Sequence, residues 1–191
     1  MYTMKRSFCL FIASLLLLFT LTSCGEKEKT SQGNAQLSMV EGDLSNFSAK
    51  TMSGKTFTQD NFKDYDMTII NVWSTTCMYC LEEMEGLEIL YEKLPDNVNF
   101  ITICTDAGFD MDLAQTILTK KGATFETLIG NKDLNNGLLQ NLIGTPTTVF
   151  VDSAGKLVGK AMVGAPCTED IDRAADNYLE AANDHLKELG L

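Results

Sequence analysis

The chain has 191 residues, 45% of them hydrophobic and 21% charged, enough for one domain with a sizeable core. A formal charge of −11 excludes the basic footprint of a nucleic-acid-binding protein. The same acidity excludes attachment to anionic headgroups through a basic patch, so any hold on a membrane has to come from apolar sequence or from lipid.

Lys5 and Arg6 lie near the start of the chain, and an apolar stretch runs from Phe8 to Leu21. This is the charged n-region and apolar h-region of an export signal. It is shorter than the roughly 20 apolar residues of a membrane span. Leu21-Thr22-Ser23-Cys24 resembles a bacterial lipobox. The resemblance implies removal of residues 1–23, acylation of Cys24, and an extracytoplasmic domain held to a bacterial membrane by lipid. Residues 24–39 are polar with Gly and Ser and read as a flexible tether; residues 40–191 read as the folded domain. Without residues 1–23 the chain keeps 168 residues, and its formal charge goes from −11 to −13 because Lys5 and Arg6 are the only charges lost. Of the six cysteines, the lipobox resemblance implies that Cys9 leaves with the signal and that Cys24 carries the lipid. Cys77, Cys80, Cys104 and Cys167 remain, in a compartment that permits disulfides.

After the tether, the stretch from Leu44 to Phe62 reads as a β-hairpin turning near Ser53-Gly54. Met67 to Trp73 is a continuous, β-branched apolar run, the pattern of a strand buried on both faces. Cys80, Met84, Leu87, Leu90, Tyr91 and Leu94 recur at helical spacing until Pro95. Val98 to Cys104 is a second buried strand. Asp110 to Gly122 is a helix closing on Lys120, Lys121 and glycine. "TFETLIG" suits a short strand and "DLNNGLLQNLIG" a short helix. "TTVFVD" and "LVGKAMVG" are strands joined by Ser153-Ala154-Gly155-Lys156, a turn short enough to make them antiparallel neighbours. A final helix spans Thr168 to Leu189, with Glu169 and Asp170 in its first turn and Tyr178 on its apolar stripe. A strand–helix–strand unit forms a right-handed parallel crossover, and the later hairpin adds antiparallel strands. The expected class is α/β: a mixed central sheet flanked by helices.

Cys77 and Cys80 stand three apart where the first buried strand gives way to a helix. Residues at i and i+3 share a helix face, and their Cα atoms then fall in the window of about 4.4–6.8 Å that a disulfide needs. At the helix N-terminus Cys77 meets unpaired N–H groups and the positive dipole end, which favour thiolate over thiol. Cys80, one turn in, is expected to be more buried and to resolve a mixed disulfide. A static staple is the alternative, but so short a loop gains little closure entropy. A metal site is another, but a structural zinc needs four ligands. The chain offers one CxxC and one histidine, His185, expected on the solvent face of the last helix; no metal and no cofactor are expected.

Taken together, "NVWSTTCMYC", the buried strand before it, and "GTPTTVFVDSAGKLVG" resemble the thioredoxin fold, and within it the TlpA/ResA branch of membrane-tethered thiol–disulfide oxidoreductases. The resemblance covers roughly Leu44 to Leu189 and implies a thioredoxin-like fold with an N-terminal β-hairpin extension. It implies Cys77 as nucleophile, Cys80 as resolving thiol, and Glu83 as a group that exchanges protons with the thiol pair. Glu83 is also one of four acids on its helix (Glu82, Glu83, Glu85, Glu88), so a plain solvated face is the competing reading. The resemblance puts Thr145, Pro146, Trp73 and Thr76 at the substrate surface, with a cis bond before Pro146. It implies disulfides of exported proteins as substrates and a membrane thiol–disulfide electron donor as partner.

Several positions depart from the wider pattern. Asn71 replaces the buried Asp of cytosolic thioredoxins, as in the TlpA/ResA branch, and cannot shuttle a proton. Thr76 replaces a Trp, which opens the rim. Glu85 replaces a helix-kinking Pro, so the helix is expected to run straighter. Cys104 and Cys167 would lie three strand spacings apart, about 14 Å, beyond the roughly 7 Å a disulfide tolerates. They read as partly buried free thiols, with exchange against Cys77–Cys80 as the alternative. Two rival functions stay open: a peroxiredoxin-like peroxidase, disfavoured by Ser74 where that family has Thr and by the missing upstream Pro, and a non-catalytic binding lipoprotein.

Overall fold

The computed structural model describes residues 35–166 and 170–191. The signal, the lipobox at Cys24, most of the tether, and Cys167 lie outside the described residues.

Strand β4, Met67–Trp73, is buried along its whole length, as its unbroken apolar pattern requires of a strand covered on both faces. Its neighbours among the described residues are β1 (Gln36–Ser38), β5 (Val98–Cys104), β6 (Glu126–Ile129), β7 (Thr147–Asp152) and β8 (Ala161–Val163). They form one six-stranded sheet in the order β1-β8-β7-β4-β5-β6. β4, β5 and β6 run parallel, while β7, β8 and β1 are each antiparallel to their neighbours. β2 (Ser48–Lys50) and β3 (Thr56–Thr58) make the expected hairpin, turning through Gly54 at φ +86°. The Met52 amide donates to the Thr127 carbonyl at 2.8 Å, so the hairpin covers part of the β6 edge.

Side chains alternate across the sheet. Met67, Ile69 and Trp73 join the core under helices α1 (Met78–Lys93), α2 (Met111–Lys121) and α4 (Ile171–Glu188). Ile70 and Val72 join the core under the hairpin and α3 (Lys132–Gly137). Met84, Leu87 and Leu90 of α1 are fully buried, each contributing about 1.5–3 kcal/mol. α1 runs unbroken for 16 residues. It crosses α4 at Gly86, where a Cβ would meet the Ile171 carbonyl oxygen at 3.1 Å and Ala174 Cβ at 3.2 Å.

Four expectations need correction. Gln36–Ser38, placed in the tether, is an edge strand with Gln36 opposite Val163; a backbone ladder at a sheet edge leaves no apolar pattern to read. Of "LVGKAMVG" only Ala161–Val163 is a strand, because Gly159 turns at φ +60°. The last helix begins at Ile171, not Thr168: Asp170 is its cap, accepting from the Arg173 amide at 3.1 Å. His185 does not face solvent. It is 7% exposed, packs 4.3 Å (ring centroids) from Phe150, and sets Nε2 3.2 Å from the Lys160 carbonyl oxygen.

Candidate active site

The turn Ser74–Thr76 carries the chain from β4 into α1. Asp106, two residues past β5, clamps it: its carboxylate accepts from the Thr75 amide at 2.9 and 3.1 Å and from Thr75 Oγ1 at 2.7 Å. Partial burial pushes the Asp106 carboxyl upward, but the hydrogen bonds from Thr75 and Cys104 outweigh it, and the group is held below its ordinary range.

Cys77 is the N-cap of α1. Its Sγ accepts from the Cys80 amide at 3.2 Å, the place a Ser or Asp oxygen usually fills. The two cysteines form a disulfide with Cα atoms 5.3 Å apart. Cys77 is half-buried and Cys80 is fully buried. Attack from outside therefore reaches Cys77 first, and the helix terminus stabilises negative charge on that sulfur.

The Thr145-Pro146 bond is cis. Val72 pairs with Thr147 across β4 and β7, which sets Pro146 at the end of the sheet that leads to Cys77. Thr76 is exposed and Thr145 half-buried. Trp73 departs from its expected role. It is fully buried, with Nε1 donating to Thr102 Oγ1 at 3.2 Å, so it supports the site from within the core and offers no surface to a substrate. Exposed apolar side chains do occur at this end: Met78 (70%) and Tyr79 (56%) between the cysteines, and Phe109 (94%) and Ile143 (84%) in the loops after β5 and before Pro146. The last two were not singled out from sequence, where an apolar residue in a loop carries no periodic signal.

Glu83 is only 1% exposed, unlike Glu82 and Glu85 on the same helix. Asn71 Nδ2 donates to its Oε1 at 2.9 Å, and the Tyr178 hydroxyl donates to its Oε2 at 2.8 Å. Asn71 Nδ2 also reaches Thr148 Oγ1 at 3.0 Å. Burial pushes the Glu83 carboxyl up to about 7, against the two hydrogen bonds that lower it. It is therefore a group that gains and loses a proton near neutrality, one turn from Cys80. Sequence reading missed the roles of Tyr178 and Thr148. The signal was a tyrosine on a buried stripe, whose hydroxyl has to find a partner.

Cys104 is a free, buried thiol. Its Sγ donates to Asp106 Oδ1 at 3.2 Å. Burial, reinforced by the Asp106 carboxylate, pushes it up to about 12, so it stays protonated and inert. Among the described residues, no group of three or more His, Cys, Asp or Glu side chains is placed to hold a metal ion.

These environments predict an order of reactivity. In the reduced protein, iodoacetamide should label Cys77 with a midpoint well below the ~8.5 of a free cysteine. Cys80 and Cys104 should resist until the protein unfolds. Peptide-resolved mass spectrometry across pH reads this directly, and equal rates at Cys77 and Cys80 would remove the capping argument.

The chain is similar to known proteins. A model of the AhpC/TSA family matches residues 40–160. The thioredoxin-like protein YneN of Bacillus subtilis is 24% identical over 168 residues, covering 87% of this chain and 96% of that protein. The thiol:disulfide interchange protein HelX of Rhodobacter capsulatus is 25% identical over 123 residues, 60% of this chain and 61% of that protein. A secreted Mycobacterium tuberculosis disulfide oxidoreductase has a similar fold, with a TM-score of 0.54 at 21% identity over 70% of this chain and 97% of that one. The mixed central sheet flanked by helices, with the β2–β3 hairpin beside it, is a thioredoxin-like fold.

Proposed function

The chain belongs to the AhpC/TSA family, and from that premise we propose that it is an extracytoplasmic thiol–disulfide oxidoreductase that reduces disulfides in exported proteins. The observation that carries the reading is a disulfide whose outer sulfur caps a helix while its inner sulfur is buried one turn away. The reduced pair donates two electrons. The Cys77 thiolate attacks a substrate disulfide, forming a mixed disulfide and releasing one substrate thiolate. Cys80 passes its proton to Glu83 and attacks Cys77 Sγ. That forms the Cys77–Cys80 bond and releases the second substrate thiolate. A membrane partner with a dithiol of its own returns two electrons and restores the pair.

Thr76 and Thr145, with the exposed Met78, Tyr79, Phe109 and Ile143, form the face that meets the substrate, and Pro146 shapes its rim. Acylation of Cys24 holds the domain to the membrane. The export-signal pattern of residues 1–23 supports an extracytoplasmic site, and so does likeness to an oxidoreductase described as secreted.

The test has two arms. Purified protein should reduce insulin disulfides with dithiothreitol as donor and should leave hydrogen peroxide at the uncatalysed rate. Rapid peroxide consumption would replace this reading with a peroxidase; intact thiols without insulin reduction would leave a binding lipoprotein. In cells, Cys24→Ala should release the protein from the membrane fraction or block processing after residue 23. Unchanged fractionation and processing would reject the lipid anchor.

A further inference from the structure

The carboxylate beside the resolving cysteine is not held by its own helix. It is held from across the domain by the last one. Tyr178 lies near the middle of α4, 95 residues from Glu83, and its side chain is fully buried. Its hydroxyl donates to Glu83 Oε2 at 2.8 Å, while Asn71 occupies Oε1 from β4. Burial, and then the neighbouring Glu83 charge, hold the phenol well above its ordinary value, so it remains a donor. Thr148 of β7 and Asn71 flank the same hydroxyl. Neither of those titrates, and Glu82 and Glu85 turn to solvent. Tyr178 is thus the titratable partner that faces Glu83 from another element. Cys80 is the titratable neighbour on the carboxylate's own helix face.

We propose that Tyr178 is a positioning residue for the resolving step: its phenol pins the Glu83 carboxylate on the face of α1 that carries Cys80, and so makes the C-terminal helix part of the redox site. The inference rests on the proton-accepting role given to Glu83 above. A buried carboxylate with one oxygen unpartnered turns or draws in water, and its proton affinity rises when a hydrogen bond that favours the charged form is lost. A better donor at the same place does the reverse. The geometry of Tyr178 therefore governs both where Glu83 points and the pH at which it accepts the Cys80 proton.

The experiment compares wild type, Tyr178→Phe, Tyr178→3-fluorotyrosine, Glu83→Gln and the Tyr178→Phe/Glu83→Gln double variant. The Glu83 midpoint is read by carbon-13 NMR of the carboxyl in the oxidised protein, independently of activity. The resolving step is read by stopped flow across pH. Tyr178→Phe should raise the Glu83 midpoint by about one pH unit or more, and the midpoint of the resolving step should move with it. The fluorinated ring keeps the side chain's shape and is a stronger donor, so it should lower both midpoints and protects the test if Tyr178→Phe folds poorly. In the Glu83→Gln background, Tyr178→Phe should add no further change to resolution.

A Glu83 midpoint that moves in neither Tyr178 variant overturns the proposal and leaves Tyr178 as core filling. A midpoint that moves while wild type and Glu83→Gln resolve at the same rate at every pH also overturns it. In that case the failure lies in the role of Glu83, and its contact with Tyr178 stands.

Discussion

Cys80→Ser should leave the protein covalently joined to its substrate through Cys77, with turnover reduced about a thousandfold or more. Cys80 is fully buried and its amide donates to Cys77 Sγ. Serine keeps that amide and nearly the same volume, so the fold and the first nucleophile survive. What is lost is an attacking sulfur held against the mixed disulfide. Well-oriented intramolecular groups act at effective concentrations of about 10⁵–10⁸ M, and millimolar external thiol replaces them poorly. Intact mass spectrometry should find a one-to-one adduct that dithiothreitol reverses, with the linkage mapped to Cys77. Turnover within severalfold of wild type, or an adduct on Cys104, would end the assignment of nucleophile and resolving thiol.

Glu83→Gln should flatten the pH dependence of stability in the oxidised protein and slow resolution. The carboxyl is raised from 4.5 to about 7 in the folded chain. Below 4.5 it is protonated in both folded and unfolded states and costs nothing. As pH rises toward 7 the unfolded chain ionises more readily, so stability is lost across that window. At 1.36 kcal/mol per pH unit the loss is about 3 kcal/mol. Urea unfolding of wild type at pH 4.5, 6 and 8 should show this decline, and Glu83→Gln should not. In stopped flow the variant should slow product release from the mixed disulfide far more than the first attack by Cys77. Glu82→Gln, on the exposed side of the same helix, should do neither. Parallel stability curves, or identical kinetics for the two variants, would make Glu83 a passive core acid.

The parts of this molecule legible in its sequence are those governed by local periodicity. β4, α1 and β5 follow from apolar spacing, and the cap at Cys77 from its place at a strand-to-helix junction. Glu83 was ambiguous because four acids crowd one helix. What separates it from Glu82 is that it shares a face with Cys80, Leu87 and Leu90, and which face is buried depends on the sheet beneath. Tyr178 and Thr148 could not be joined to it without the register of β4 against β7 and the placing of α4 over both. Trp73 departs in the other direction: the resemblance put it at the substrate surface, but it ends a strand covered on both faces and lies wholly in the core. His185 sat at a helical position whose neighbour, Phe150, comes from a distant strand.

The edge strand β1 has a consequence for reach and direction. Gln36 lies opposite Val163, Val163 opposite Thr147, and Thr147 opposite Val72, so all four stand in one row across the sheet. β1 runs against β4, so its first residue, Gln36, stands at the same rim that bears Cys77. Twelve peptide steps separate Gln36 from Cys24, spanning at most about 40 Å when fully drawn out. Under the proposed acylation of Cys24, the tether would join the domain at the rim that bears Cys77 and not at the far pole.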